Sequence, residues 1–91
     1  MSTSGKYVLT YHLDVQEDIR HIPENIKARI KNAIEKRLLP QPHIAGVPLR
    51  RSLKGYWKLR VGDYRVIYAM RSSEIVILKI GHRREVYQKF W

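Results

Sequence analysis

Lys58, Arg60 and Arg65 are the residues whose type and spacing suggest chemistry. They stand in two runs of alternating apolar and polar residues, Tyr56-Trp57-Lys58-Leu59-Arg60-Val61 and Tyr64-Arg65-Val66-Ile67-Tyr68, separated by Gly62-Asp63. Aromatic and β-branched residues dominate both runs, so the stretch reads as a tight β-hairpin with Gly62 and Asp63 as its loop. Val61 then faces Tyr64, Arg60 faces Arg65, Leu59 faces Val66, Lys58 faces Ile67 and Trp57 faces Tyr68. Trp57, Leu59, Val61, Tyr64, Val66 and Tyr68 share a core face, and Lys58, Arg60 and Arg65 share the other. Two arginines opposite each other, with a lysine two residues along, repel across the pair. A polyanion's phosphates would neutralise such a cluster. A solvated face with cationic heads snorkelling apart gives the same pattern, and charge spacing leaves both readings open.

Carboxylates are scarce around these cations. Only Asp63, Glu74 and Glu85 are acidic in this part of the chain, and Asp63 reads as turn chemistry and Glu74 as a strand-end charge. Hard divalent cations need several oxygen ligands, so a two-metal nuclease site is not expected. His12, His21, His43 and His82 show no metal-ligand spacing, and there is no cysteine. No metal and no cofactor are expected. The absence of cysteine excludes disulfides and thiolate metal sites and fits a cytoplasmic protein.

The elements that must position the cations belong to one domain spanning 1–91. A chain of 91 residues buries roughly 60–65% of its unfolded surface, enough for one core. The formal net charge is +10, and it is uneven: residues 1–49 carry 7 basic and 5 acidic side chains, residues 50–91 carry 11 and 3. The basic half contains the hairpin. That asymmetry suggests nucleic acid, an anionic membrane or an acidic protein as partner. No apolar run approaches transmembrane length, and no secretory signal is visible.

In chain order, residues 1–5 read as a frayed lead-in and 6–12 as a first strand. Asp14 and Glu17 have the spacing of a capping box, which predicts a short helix to about Ile22 with Asp14 as N-cap. Pro23 suits the first turn of a second helix, in which Ile26, Ile30, Ala33, Ile34 and Leu38 form an apolar stripe. Lys27, Arg29, Lys31, Lys36 and Arg37 lie mostly off it. Pro40 and Pro42 end that helix, and 40–55 reads as an irregular basic connection. After the hairpin and a turn at 71–73, residues 74–80 are apolar almost throughout and predict a central strand buried on both faces. A basic, aromatic tail follows and reads as a helical turn. The expected fold class is α+β: a small antiparallel-type sheet with an N-terminal helical hairpin on one face, in the order β-α-α-β-β-β plus a short C-terminal tail.

This order resembles the RelE/ParE superfamily of toxins from type II toxin–antitoxin pairs. So do the basic Leu53-Lys54-Gly55 before the hairpin, the segment Gly62-Asp63-Tyr64-Arg65-Val66-Ile67-Tyr68, and the closing Gly81-His82-Arg83-Arg84-Glu85-Val86-Tyr87. The resemblance covers the chain from about Lys6 to Tyr87 and is closest to the RelE-like mRNA interferases, which cleave messenger RNA in the ribosomal decoding site. The ParE branch instead poisons DNA gyrase and lacks the nuclease residues. By resemblance, Lys58, Arg65, Arg83 and Tyr87 match the catalytic positions of the RelE motif. Tyr56 departs from it, standing where nucleases with two lysines two apart carry the second one.

The resemblance implies a ribosome-dependent endoribonuclease that needs no metal. The 2′-hydroxyl attacks the adjacent phosphorus, so a base, stabilisation of the phosphoryl charge and an acid for the leaving 5′-oxygen are required. Arg65 with Arg83 would clamp the phosphate, and Lys58 or Tyr87 would take the 2′-hydroxyl proton. Arg83 or His82 would assist the leaving group. Lys54, Arg60, His82 and Arg84 are expected RNA contacts. The expected partners are mRNA on the ribosome and a separate RelB-like antitoxin, with neither a membrane nor a small-molecule ligand. Two other readings fit the charge: a ParE-like gyrase inhibitor, and a basic nucleic-acid-binding module without catalysis.

Overall fold

A tight turn fixes the register of the sheet. In a computed structural model that describes residues 7–50 and 55–90, with side chains as far as Val86, Gly62 has a φ of 60° and Asp63 does not share the positive value. Positive φ at the first loop residue alone is the pattern of a type II′ turn, whose twist matches that of paired strands. β3 (Trp57–Val61) and β4 (Tyr64–Arg71) pair antiparallel with the five expected partners, from Val61 opposite Tyr64 to Trp57 opposite Tyr68. β5 (Glu74–His82) returns antiparallel to β4, with Arg65 opposite Gly81 and Tyr64 opposite His82. The register slips between Ile67 and Tyr68, so Leu78 is an extra residue bulged out of β5.

Two short edges complete the sheet. β1 (Val8–Tyr11) lies parallel to β5, and β2 (Val47–Pro48) lies antiparallel to β3. The strand order is β1-β5-β4-β3-β2. The sheet is therefore mixed where an antiparallel-type sheet was expected. A parallel neighbour needs a crossover, and the helical hairpin between β1 and the later strands supplies it. Residues 40–50 are more ordered than their prolines and glycine suggested, holding β2 and a short helix, α3 (Pro42–Ala45).

α1 (Leu13–Arg20) and α2 (Glu24–Ala33), the latter continued by five π-wound residues, Ile34–Leu38, form the helical hairpin. Two boundaries differ from expectation. His12, not Asp14, caps α1: its Nδ1 accepts from the Asp14 N–H at 3.1 Å. β1 ends at Tyr11, so the chain turns one residue earlier and Asp14 falls inside the first helical turn. Pro23 is the N-cap of α2 rather than part of its first turn. The apolar stripe is as expected: Ile30, Ala33, Ile34 and Leu38 are buried with Leu59, Val61, Val66 and Tyr68 from the sheet, and Ile26 packs against them. Asp18 ties α1 to β5. Its carboxylate pairs with Lys79 Nζ at 2.6 Å and accepts the Ile80 N–H at 3.0 Å.

The tail is a helix, not a single turn. α4 (Arg83–Phe90) crosses the second face of the sheet, where Val86 joins Leu49 and Ile67 in a small cluster flanked by Tyr56 and Leu78. Gly81 permits this approach: a Cβ there would lie 3.0 Å from Val86 Cγ2. As a result β4, the middle strand, is buried on both faces from Arg65 to Ala69. That corrects the expectation for β5, whose second-face residues Val76 and Leu78 are only half-buried.

Candidate functional site

The second face of the hairpin is not uniformly solvated. Arg65 is 6% exposed. Its Nη1 donates to the carbonyls of Gly62 at 2.9 Å and Tyr64 at 2.8 Å, and its Nε is buried with no hydrogen-bond partner. Among the described residues no carboxylate pairs with it. A guanidinium does not lose its proton in a protein, so a full positive charge is held here, with two carbonyls as its hydrogen-bond acceptors among the described residues. That is an unfavourable arrangement for folding and a favourable one for an anion that reaches the unused donor.

Strand register sets the neighbours of Arg65. Arg60 is directly opposite it, and Lys58, opposite Ile67, is its diagonal neighbour on the same face. Such diagonal pairs stand about 7–8 Å apart at the backbone, within reach of long side chains. Lys58 is half-buried and Arg60 exposed. Tyr56, where the two-lysine motif has its second lysine, packs beside Ile67 and Val86. It contributes apolar cover for α4.

Arg83 opens α4 at the hairpin tip. Its N–H donates to the Asp63 carbonyl at 2.8 Å, and its Nε lies 3.9 Å from Asp63 Oδ1. Asp63, read from the sequence as a turn residue, thus also anchors Arg83. Arg83 and Arg84 place two positive charges in the first turn of a helix, where the macrodipole disfavours cations. Tyr87 follows Val86 on α4, one turn beyond Arg83; its side chain lies outside the described residues, as does Lys54 altogether.

His82 is oriented differently. It is opposite Tyr64 in the ladder, which places it on the core side of the sheet, away from the face of Arg65. Its ring meets Tyr64 edge-on at 5.6 Å, and its Nδ1 accepts the Arg84 N–H at 3.2 Å. His82 therefore caps α4, and in the neutral ring the proton sits on Nε2. The site thus brings Lys58, Arg60 and Arg65 together on one face, holds Arg83 at its tip, and turns His82 to the other side. Among the described residues no His, Asp and Glu side chains gather as metal ligands, and no helix is long and apolar enough to cross a membrane.

Sequence reasoning missed the burial of Arg65 and two further arginines, Arg29 and Arg37. These line a cleft with Arg60. Their only sequence signal was a position off the apolar stripe, which any solvated helix face shares.

Comparison with known proteins agrees with this architecture. A family model described as "ParE toxin of type II toxin-antitoxin system, parDE" matches residues 9–87. Toxin RelE of Mycobacterium tuberculosis is 33% identical over 90 residues, covering 97% of this chain and 93% of that protein. Toxin RelG of the same organism is 29% identical, covering 91% and 98%. In the crystal structure of the toxin–antitoxin complex RelBE2 from M. tuberculosis, one chain superposes with a TM-score of 0.78 at 29% identity, over 88% of this chain and 94% of that one. With a matching fold, family model and full-length relatives, the chain belongs to the RelE/ParE family of toxins of type II toxin–antitoxin systems.

Proposed function

We propose that this protein is the toxin of a type II pair and a ribosome-dependent mRNA endonuclease. The observation that carries the reading is Arg65: a buried guanidinium with a free Nε, beside Lys58, on a face closed by α4. In the reaction the 2′-oxygen bonds to phosphorus as the P–O5′ bond breaks, leaving a 2′,3′-cyclic phosphate and a 5′-hydroxyl. Arg65 stabilises the charge that develops on the phosphoryl oxygens. Lys58 or Tyr87 accepts the 2′-hydroxyl proton, and Arg83 supports the departing 5′-oxygen. The ribosome orients the message, which offsets the modest acid–base equipment of the site. The protein acts in the cytoplasm and is held inactive by a separate RelB-like antitoxin; a RelBE2 complex among its structural neighbours supports such a partner.

Primer extension on an mRNA, with and without programmed ribosomes, tests this reading. Cuts within codons that require ribosomes and vanish in the folded Lys58→Ala/Arg65→Ala variant are expected. A second reading, gyrase inhibition, is favoured by one observation: the matching family model carries the ParE name. Absence of cuts together with blocked DNA supercoiling would replace the nuclease by that inhibitor.

A further inference from the structure

The cationic surface does not end at the hairpin's second face. Arg29 of α2 and Arg37 of the π-wound segment come together with Arg60 of β3 around a cleft of about 240 Å³, completed by Asn32 and the bare turn at Gly62. A Cβ on Gly62 would stand 3.4 Å from Arg29 Nη2, which places that guanidinium beside the turn. No carboxylate lines the cleft. Among the described residues none of the three arginines forms an ion pair, whereas Lys27 on the same helix pairs with Glu24 at 2.8 Å.

Three arginines line one small cleft, and like charges brought near one another repel. A solvated helix face spreads its cations; here residues far apart in sequence converge. Arginine's fork of donors suits phosphate oxygens. Arg60 is the link: it lines this cleft and is directly opposite Arg65. Arginines thus stand both on the face of Arg65 and at the cleft beside α2. Cations spread in this way match a polymer with a charge at every unit better than a short acidic peptide.

We propose that the Arg29–Arg37–Arg60 cleft is a second binding site for the phosphodiester backbone of RNA, separate from the face of Lys58, Arg65 and Arg83. The proposal rests on the reading that the target is RNA. It does not require that this chain cut it. Messenger and ribosomal RNA present the same phosphodiester chemistry, and two arms of one experiment separate them.

The test is binding of the full chain to a labelled, 2′-O-methylated single strand, which cannot be cut, and to vacant small ribosomal subunits, each across a salt series. Arg29→Ala/Arg37→Ala is compared with Arg20→Ala/Arg71→Ala, which removes equal charge from exposed sites outside the cleft. Arg29→Gln/Arg37→Gln serves as a second variant should the first fold poorly. The cleft variant is expected to weaken binding about tenfold or more and to lower the log–log salt slope by about 1.4, two phosphate contacts' worth on a single strand. The control should lose clearly less. Loss on the oligonucleotide assigns the cleft to the message and loss on the subunit assigns it to ribosomal RNA; either supports the proposal. Equal losses in both variants overturn it, as does a cleft variant that binds RNA normally but loses an acidic antitoxin peptide. A wild-type protein that binds RNA through this cleft and never cuts it would overturn the nuclease reading and leave this site standing.

Discussion

Arg60 and Arg65 are directly opposite each other across the hairpin, yet their surroundings differ. Arg65 turns back to the loop, donates to the carbonyls of Gly62 and Tyr64, and is buried. Arg60 stays exposed and lines the cleft beneath α2. The two facing cations thus stand in different environments. One is a desolvated, rigid donor suited to charge that develops during a reaction; the other is a wet contact suited to holding a backbone.

The buried charge of Arg65 leads to opposite expected effects on stability and activity. Arg65→Leu removes a buried cation that no carboxylate pairs with among the described residues, and keeps much of its bulk. Replacing poorly compensated buried charge by a hydrophobic side chain is often stabilising by about 1 kcal/mol or more. The urea midpoint should therefore hold or rise. Ribosomal cleavage should fall by about 10²-fold or more, the usual consequence of losing a preorganised charge-stabilising donor. A variant that is less stable than wild type and still cuts would remove Arg65 from the site.

His82 permits a separation of capping from chemistry. Its Nδ1 caps α4 through the Arg84 N–H. Asparagine at an N-cap does the same, whereas alanine forfeits about 1 kcal/mol. His82→Asn should match wild type in thermal midpoint and cut within about threefold of it, while His82→Ala should melt earlier. If His82→Asn is fully stable and inactive, the imidazole takes part in the reaction, and its placement on the core side of the sheet is not its working position.

The hairpin was legible in the sequence down to individual pairs, because a strict period of two on both sides of Gly62-Asp63 leaves one register that puts Leu59, Val66 and Tyr68 inside. The burial of Arg65 was not. Its parity assigns it to the outer face, and that face becomes an interior only when α4 crosses it through Val86. The short β2 was hidden because its two residues are held by backbone pairing, which leaves no side-chain pattern. The start of α1 was misplaced by local logic: Asp14 is a better cap than His12 in isolation, but the end of β1 decides where the turn begins. Convergence of Arg29, Arg37 and Arg60 depends on how α2 sits beside the turn, which composition does not encode.

Gly46 is constrained by space. A Cβ there would collide with the Tyr68 hydroxyl, and would lie 2.6 Å from the Lys58 carbonyl. Both neighbours are fixed, the phenol by its bond to the Pro42 carbonyl and the carbonyl by β3. Gly46→Ala must push β2 away from β3, and overpacking of this kind costs about 1–3 kcal/mol. The urea midpoint should fall accordingly without a change in slope. An unchanged midpoint would mean that the edge of the sheet yields freely and does not hold Lys58 in place.

Tyr68 supplies a pH signature of the core. Its hydroxyl donates to the Pro42 carbonyl at 2.8 Å, and burial pushes its pKa from the ordinary 10 up to about 12. The folded state therefore keeps the proton where the unfolded chain releases it. This contribution to stability is fully present below pH 10 and is lost as the pH rises from 10 to 12, at about 1.4 kcal/mol per unit. Tyr68→Phe has no proton to lose. At neutral pH it should be less stable by about 1–2 kcal/mol, since the Pro42 carbonyl is left without its buried donor. Because other groups titrate in the same alkaline range, the measurement is the difference between the two unfolding curves. With the phenol enclosed until the chain opens, the gap should narrow above pH 10 and invert in sign by pH 12. Curves that stay parallel through this range would show that the phenol ionises in place, and that the core around Leu59 and Val66 admits water without unfolding.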